Sequence, residues 1–290
     1  MIYMRLKIKI LAELTKVRIT SFVTLTTAFG YIVYQGEVDL KLIRVLFGVL
    51  FLAFGSAALN HFQESHYDAK MDRTKSRPIP SCRISPSEVL KISVILISVG
   101  SILLLFSSDI IALLLGLLNL IWYNLIYTYL KRKTAFAIVP GSLVGAIPPA
   151  IGWVAAGGSL IDSQIIIISF FFFIWQIPHF WLLLLVLDKD YRQAGFPTLT
   201  ELFNKEQLSR ITFIWIVSTA VTGLMIPFFG IVTDLWINLA LFFAGTLLTL
   251  KAFGLLMDIK DFSIFKLNFK YINYFALSVV FLVSLDKLIQ

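Results

Sequence analysis

Residues 60–80, NHFQESHYDAKMDRTKSRPIP, hold the densest run of chemically capable side chains in this sequence. Asn60, Glu64 and Asp68 recur at every fourth position. On an α-helix that spacing drifts by only about 40° per step, so all three look the same way. Asp72 continues the row, rotated further round. Lys70, Arg73, Lys75 and Arg77 follow at once, and Pro78 and Pro80 oppose helical continuation. A helix is expected to arrive with a row of oxygen donors and to end among cations. Oxygen donors suit Mg²⁺, which takes a few carboxylates and completes its shell with substrate phosphates. Cations neutralise the phosphate oxygens left over. The same run also fits a plain charged loop between apolar helices.

A second acidic stretch, LDKDYRQAGFP at 187–197, offers Asp188 and Asp190 followed by Tyr191 and Arg192. Alone it reads as a solvated helix end. Facing the first stretch, it would complete a pair of carboxylate groups able to hold Mg²⁺ around a departing diphosphate. A third piece, IYTYLKRKT at 126–134, carries Tyr127, Lys131 and Arg132. Asn119, Tyr123 and Tyr127 give it one polar stripe at helical spacing. These residues serve either as phosphate donors or as interfacial anchors with inside-facing charge. Lys16 and Arg18 precede the first apolar run and are open to the same two readings. The histidines are His61, His66 and His179, all in or near the two acidic segments. His179 lies in FIWQIPHFW, between Trp175 and Trp181, beside Pro178. An ionisable side chain within an apolar segment raises a functional hypothesis by default, against the plain reading that it satisfies a polar partner.

The elements that must position these residues are membrane helices. Only 14% of the 290 residues are charged and 58% are hydrophobic, where soluble domains carry about 25% charge. Mean hydropathy is +0.87. Nine apolar segments of bilayer-spanning length are expected at 18–36, 42–60, 88–107, 109–128, 136–156, 163–187, 211–229, 231–250 and 267–286. The expected fold is all-α: a polytopic membrane protein with nine transmembrane helices bundled around a central cavity. It forms a single domain, 1–290, opened by a basic interfacial segment at 1–17 that is retained rather than cleaved.

Of the 25 lysines and arginines, all but Lys41, Arg44 and Lys287 fall in the N-terminal stretch or the even-numbered loops. The positive-inside rule then places the N-terminus and both acidic stretches in the cytoplasm and the C-terminus outside. The net charge of +8 is accounted for by that bias and by anionic lipid, with no nucleic-acid partner. Cys82 is the single cysteine, which excludes an internal disulfide and a C-x-x-C-H heme attachment.

Asn60-x-x-x-Glu64-x-x-x-Asp68, then Met71-Asp72-Arg73-Thr74 and Arg77-Pro78, resembles the first Asp-rich motif of the UbiA-type intramembrane prenyltransferases. Within that superfamily WQIPHFW (175–181), Asp190 to Pro197, YTYLKR (127–132), GAIPPAIGW (145–153) and LTKVRIT (14–20) are similar to the branch that farnesylates protoheme IX. His61 stands where the superfamily usually has Asp, Glu64 where Asp is more common, and Val17 where Pro is usual. The resemblance is strong over about residues 11–200 and weak over the last three helices.

The resemblance implies farnesyl diphosphate and protoheme IX as substrates, Mg²⁺ as cofactor, and the inner (plasma) membrane of a cell as location. It also suggests association with a heme A synthase that would take the product. It makes Asn60, Glu64, Asp68, Asp188 and Asp190 the catalytic set, the metal falling to Asn60, Glu64, Asp68 and Asp188. Lys16, Arg18, Asp72, Arg73, Arg77, Tyr127, Lys131, Arg132, His179 and Tyr191 would bind substrate. Two alternatives remain at this level: an aromatic or quinone-precursor acceptor, and a membrane transporter. A transporter would place ionisable groups near the midplane, whereas here nearly all acids lie at helix ends.

Overall fold

The computed structural model describes residues 2–107, 109–257 and 263–290, and of residues 2–6 the backbone alone. Ser108 and Lys260, which the sequence reading assigned to loops, lie outside the described residues. A short helix α1 (Ile2–Leu14) leads into α2 (Val17–Gln35), α3 (Leu40–Asp68) and α4 (Pro86–Ser107). Next come α5 (Ile110–Leu130), α6 (Ala135–Ala156), α7 (Ser163–Val186) and a short α8 (Asp188–Ala194). The chain closes with α9 (Lys205–Phe229), α10 (Leu235–Met257) and α11 (Ser263–Leu288). Among the described residues nine helices are long and apolar enough to cross a membrane, matching the nine expected segments, and the chain is a multi-pass membrane protein. The largest boundary difference is at α3, which continues to Asp68 instead of stopping at Asn60. Asn60, Glu64 and Asp68 therefore ride on one helix, and Asp72 lies beyond its end.

Side chains sort by neighbour. Phe106, Trp236, Phe242 and Phe243 are exposed on outer helices, as a lipid-facing surface requires. The core lies between α2, α6, α7, α9 and α11, built on Phe29, Ile168, Phe171, Phe172, Ile216 and Phe275. Small residues let the central backbones approach. A β-carbon on Gly30 would sit 1.9 Å from the Pro149 carbonyl oxygen, and one on Gly152 would sit 1.9 Å from that of Thr27. The α2–α6 contact therefore excludes any larger residue at either position.

The basic N-terminal segment packs against the bundle. Ile10 and Leu14 are buried with Ala58, Ile79 and Val89, and Glu13 pairs with both terminal nitrogens of Arg83 at 3.2 and 2.5 Å. α1 is thus docked over the 69–85 loop. Several helices start with an aspartate whose carboxylate accepts from the first turn: Asp39 from Leu42 N (2.7 Å), Asp109 from Ile111 N (3.3 Å), Asp234 from Ile237 N (2.9 Å). All three caps sit at the bundle end opposite the acidic stretches.

Candidate active site

The donor row is buried where α3 ends: Asn60 is 1% exposed, Glu64 5% and Asp68 1%. A carboxylate in that setting needs a partner, and each donor has its own cation. Lys16 Nζ donates to Asn60 Oδ1 at 2.6 Å. Lys131 pairs with Glu64. Arg77 Nη1 lies 2.7 Å from both Asp68 oxygens. The three cations come from the α1–α2 turn, the end of α5 and the loop after α3.

Local backbone explains how each arrives. Lys16 sits in the left-handed region at φ 49°, which a non-glycine residue adopts at a cost. That turn delivers its amine against α3. Burial, with the charge of Arg77 second, pushes this amine down to about 7, so an anionic ligand would favour its protonated form. Asp68 is followed by a loop whose Thr74 hydroxyl donates to the Asp68 carbonyl at 2.9 Å, and the loop folds back far enough to bring Arg77 onto the carboxylate.

α5 widens into a π-turn at Trp122–Tyr127, a form that recurs at functional sites. Asn124 and Thr128 face α3 from it. Asn124 accepts from Ser56 Oγ (2.6 Å) and donates to Gln63 Oε1 (3.1 Å), while Asn60 Nδ2 donates to Thr128 Oγ1 (3.2 Å). With its amide nitrogen held there, Asn60 turns its oxygen to Lys16. Ser56, Gln63, Asn124 and Thr128 were not singled out from sequence; the i, i+4 spacing of Asn124 and Thr128 within an apolar helix was the available signal.

The two acidic stretches do meet. Tyr67 packs on Phe196 (4.9 Å between ring centres), with Met71 and Ala194 buried beside them, and Asp190 Oδ2 lies 3.9 Å from Arg73 Nε. Lys131 also sits over the Phe196 ring at 5.8 Å. Asp188 differs. Its oxygens take Arg192 Nε at 2.9 Å and the Thr200 hydroxyl, so it is engaged within its own loop. Asp72 is exposed and bonds Lys75 at 2.7 Å, and Arg18 is exposed. Neither joins the constellation. Arg132 donates to the Gln63 carbonyl at 2.9 Å and stacks on Tyr67 and Tyr129 at 4.8 and 4.6 Å, fastening α5 to α3. His61 is buried beside Lys16 and Arg77, and His66 is exposed on the edge of Tyr67.

An aromatic wall leads away from the cations. Lys131 sits 5.6 Å over the Tyr127 ring, Tyr127 stacks on Tyr123 at 6.0 Å, and Phe180 touches Tyr127 at 6.2 Å. Phe180 then meets the edge of His179 at 5.3 Å. Tyr191 packs against Phe196 at 5.4 Å.

Among the described residues no three acidic, histidine or cysteine side chains converge as a ready metal cage. Asn60, Glu64 and Asp68 nonetheless form a hard-oxygen set on one helix face, and that set fits Mg²⁺ if substrate phosphates complete the shell. Asp188 stands apart from that set: its carboxylate is paired with Arg192 and Thr200 of its own segment rather than with the cations of the row.

The model of the UbiA prenyltransferase family matches residues 23–271. Protoheme IX farnesyltransferase from Geobacter sulfurreducens is 39% identical over 64% of this chain and 68% of its own length. The enzyme of that name from Picosynechococcus is 34% identical over 91% of this chain and 84% of its own. A solved structure of digeranylgeranylglyceryl phosphate synthase superposes with a TM-score of 0.79 at 20% identity, covering 98% of this chain and 99% of its own. A UbiA homologue from Archaeoglobus fulgidus, bound to DMAPP and Mg²⁺, gives 0.67 at 13% identity over 93% of this chain and 98% of its own. Sequence and fold agree with that family over most of the length, and the chain belongs to the UbiA prenyltransferase family.

Proposed function

We propose that this protein transfers the farnesyl group of farnesyl diphosphate to a vinyl group of protoheme IX, giving heme O. The observation that carries the diphosphate half is the one-to-one pairing of Lys16, Lys131 and Arg77 with Asn60, Glu64 and Asp68. Buried cations held by oxygen donors are ready to exchange those partners for phosphate oxygens. Asn60, Glu64 and Asp68 would hold Mg²⁺, whose charge stabilises the departing diphosphate. Lys16, Arg77 and Lys131 bind the diphosphate oxygens, and Arg73, with Asp190 behind it, closes the mouth.

The allylic C–O bond breaks and its electron pair leaves with the diphosphate. The aromatic faces of Tyr123, Tyr127 and Phe180 suit the allylic cation that remains. The π pair of the heme vinyl group forms the new C–C bond. Water adds to the resulting cation and releases a proton, leaving a hydroxyethylfarnesyl substituent. His179, at the far end of the aromatic wall, contacts the heme. The N-terminus and both acidic stretches face the cytoplasm of a cell bounded by its inner (plasma) membrane, which the skew of basic residues supports. A heme A synthase would be the natural taker of the product.

The test uses purified protein with labelled farnesyl diphosphate, Mg²⁺ and either protoheme IX or 4-hydroxybenzoate, separating products by reversed-phase chromatography. Label is expected in a heme more apolar than protoheme. Label in the benzoate alone would overturn the acceptor.

A further inference from the structure

We infer that Asn273 is a positioning residue for the acceptor: it fixes the tautomer and ring plane of His179 so that the Nε2 lone pair is presented to the porphyrin iron. The inference rests on the heme reading above and deepens it. Asn273 lies on α11, a helix that no sequence motif marked.

His179 Nδ1 and Asn273 Oδ1 are 2.7 Å apart. Which partner donates follows from the other end of the amide. Asn273 Nδ2 lies 2.6 Å from the Phe269 carbonyl oxygen. A carbonyl oxygen only accepts, so the amide group facing it is the NH₂ and the group facing His179 is the oxygen. That oxygen also only accepts. The proton of a neutral His179 is therefore on Nδ1, and Nε2 keeps its lone pair, the arrangement of an imidazole ready to ligate a metal.

The ring plane is fixed as well. Trp175 lies tilted against the imidazole at 4.8 Å, Phe269 at 5.0 Å, and Phe180 closes the edge at 5.3 Å. Trp175 is itself tied to α11, donating from Nε1 to the Ile272 carbonyl at 3.2 Å. His179 is half-buried, and Nε2 is not among the fully buried polar atoms that lack a partner. Phe180 links the cage to Tyr127 and so to Lys131, which puts the imidazole at the end of the aromatic wall proposed to face the allylic cation. An asparagine on a membrane helix also serves as hydrogen-bonding glue between helices, and the test must separate the two roles.

The readout is resonance Raman of the full-length protein in detergent loaded with ferrous protoheme IX, alongside heme titration. The expected result is an iron–histidine stretching band that His179→Ala abolishes. Asn273→Leu should shift that band to lower frequency, because the Nδ1 proton loses its acceptor, and weaken heme binding about 10- to 100-fold. Asn273→Asp should restore the affinity and move the band to higher frequency. Loss of helix glue alone would lower thermal stability and leave the band where it is. If His179→Ala keeps the band, the heme-ligand reading fails and this inference falls with it. If His179→Ala abolishes the band but neither Asn273 variant moves it, the ligand stands and the positioning role is overturned. Should Asn273→Leu extract poorly, Asn273→Asp decides: an unmoved band overturns the inference.

Discussion

Acids lie at both ends of this bundle, and they sit on opposite ends of their helices. At the capped end Asp39, Asp109 and Asp234 precede α3, α5 and α10 and accept first-turn N–H groups. That is where a carboxylate is favoured by orphan donors and the positive end of the helix dipole. At the other end Glu64 and Asp68 occupy the last turns of α3, where the dipole disfavours them, and they are buried as well. Nothing in helix stability accounts for them. Three cations from other elements neutralise the row, and the role proposed for the row, holding a metal diphosphate, would account for both. Asp188 belongs with the first group: it stands in the first turn of the short helix α8 and is satisfied locally. An acid that a helix welcomes is accounted for by the helix, and an acid that a helix resists is the better candidate for chemistry.

The comparison breaks wholesale if the two acidic stretches do not share a face of the membrane. Cys82 is exposed in the loop that carries Arg77, and Lys189 is exposed between Asp188 and Asp190. A membrane-impermeant thiol reagent is expected to label native Cys82, and Lys189→Cys in a Cys82→Ser background, from the cytoplasmic side only. Labelling from opposite sides would separate the two halves of the site.

The largest kinetic effect belongs to Asp68→Asn, with turnover expected to fall about a hundredfold or more as charge stabilisation of the leaving group is lost. Asp68 is buried against Arg77, so the variant should also lose about 1–3 kcal/mol of stability. Thermal melting beside single-turnover rates separates the two losses, and a folded variant with near-normal turnover removes Asp68 from the metal. Asp190→Asn should cost about tenfold, roughly 1.4 kcal/mol of transition-state stabilisation, because Arg73 at the mouth loses its partner. An unchanged kcat/KM would make that contact incidental.

On the capped end, Asp39→Ala should cost about 1–3 kcal/mol. It removes a helix cap and also the acceptor of the buried Tyr31 hydroxyl at 2.8 Å. Activity per folded molecule should be unchanged; a fall in kcat without a fall in melting temperature would contradict the division drawn between the ends. Asp188→Asn is expected to change kcat/KM by no more than about twofold, under 0.5 kcal/mol. A loss as large as that of Asp68→Asn would return Asp188 to the metal.

The sequence by itself determined the membrane helices, because bilayer length and apolarity are written locally. It placed Asn60, Glu64 and Asp68 on one face, because helical periodicity is local too. It also put both acidic stretches at one end, because chain order and span count leave no alternative. It could not sort the residues that follow the helix end. Asp72 continues the four-residue spacing but α3 stops at Asp68, so Asp72 points to solvent and Arg77, nine residues on, returns to the carboxylate. Arg132 and Lys131 are neighbours in sequence, yet one stacks on tyrosines and the other reaches Glu64, because the end of α5 turns them apart. Asn124 and Thr128 on α5, and Asn273 on α11, found their partners only when helices distant in the chain packed together. Which cation meets which donor is decided by long-range packing. Within a bilayer, buried polar groups must find partners inside the protein, and the tertiary structure alone supplies those pairings.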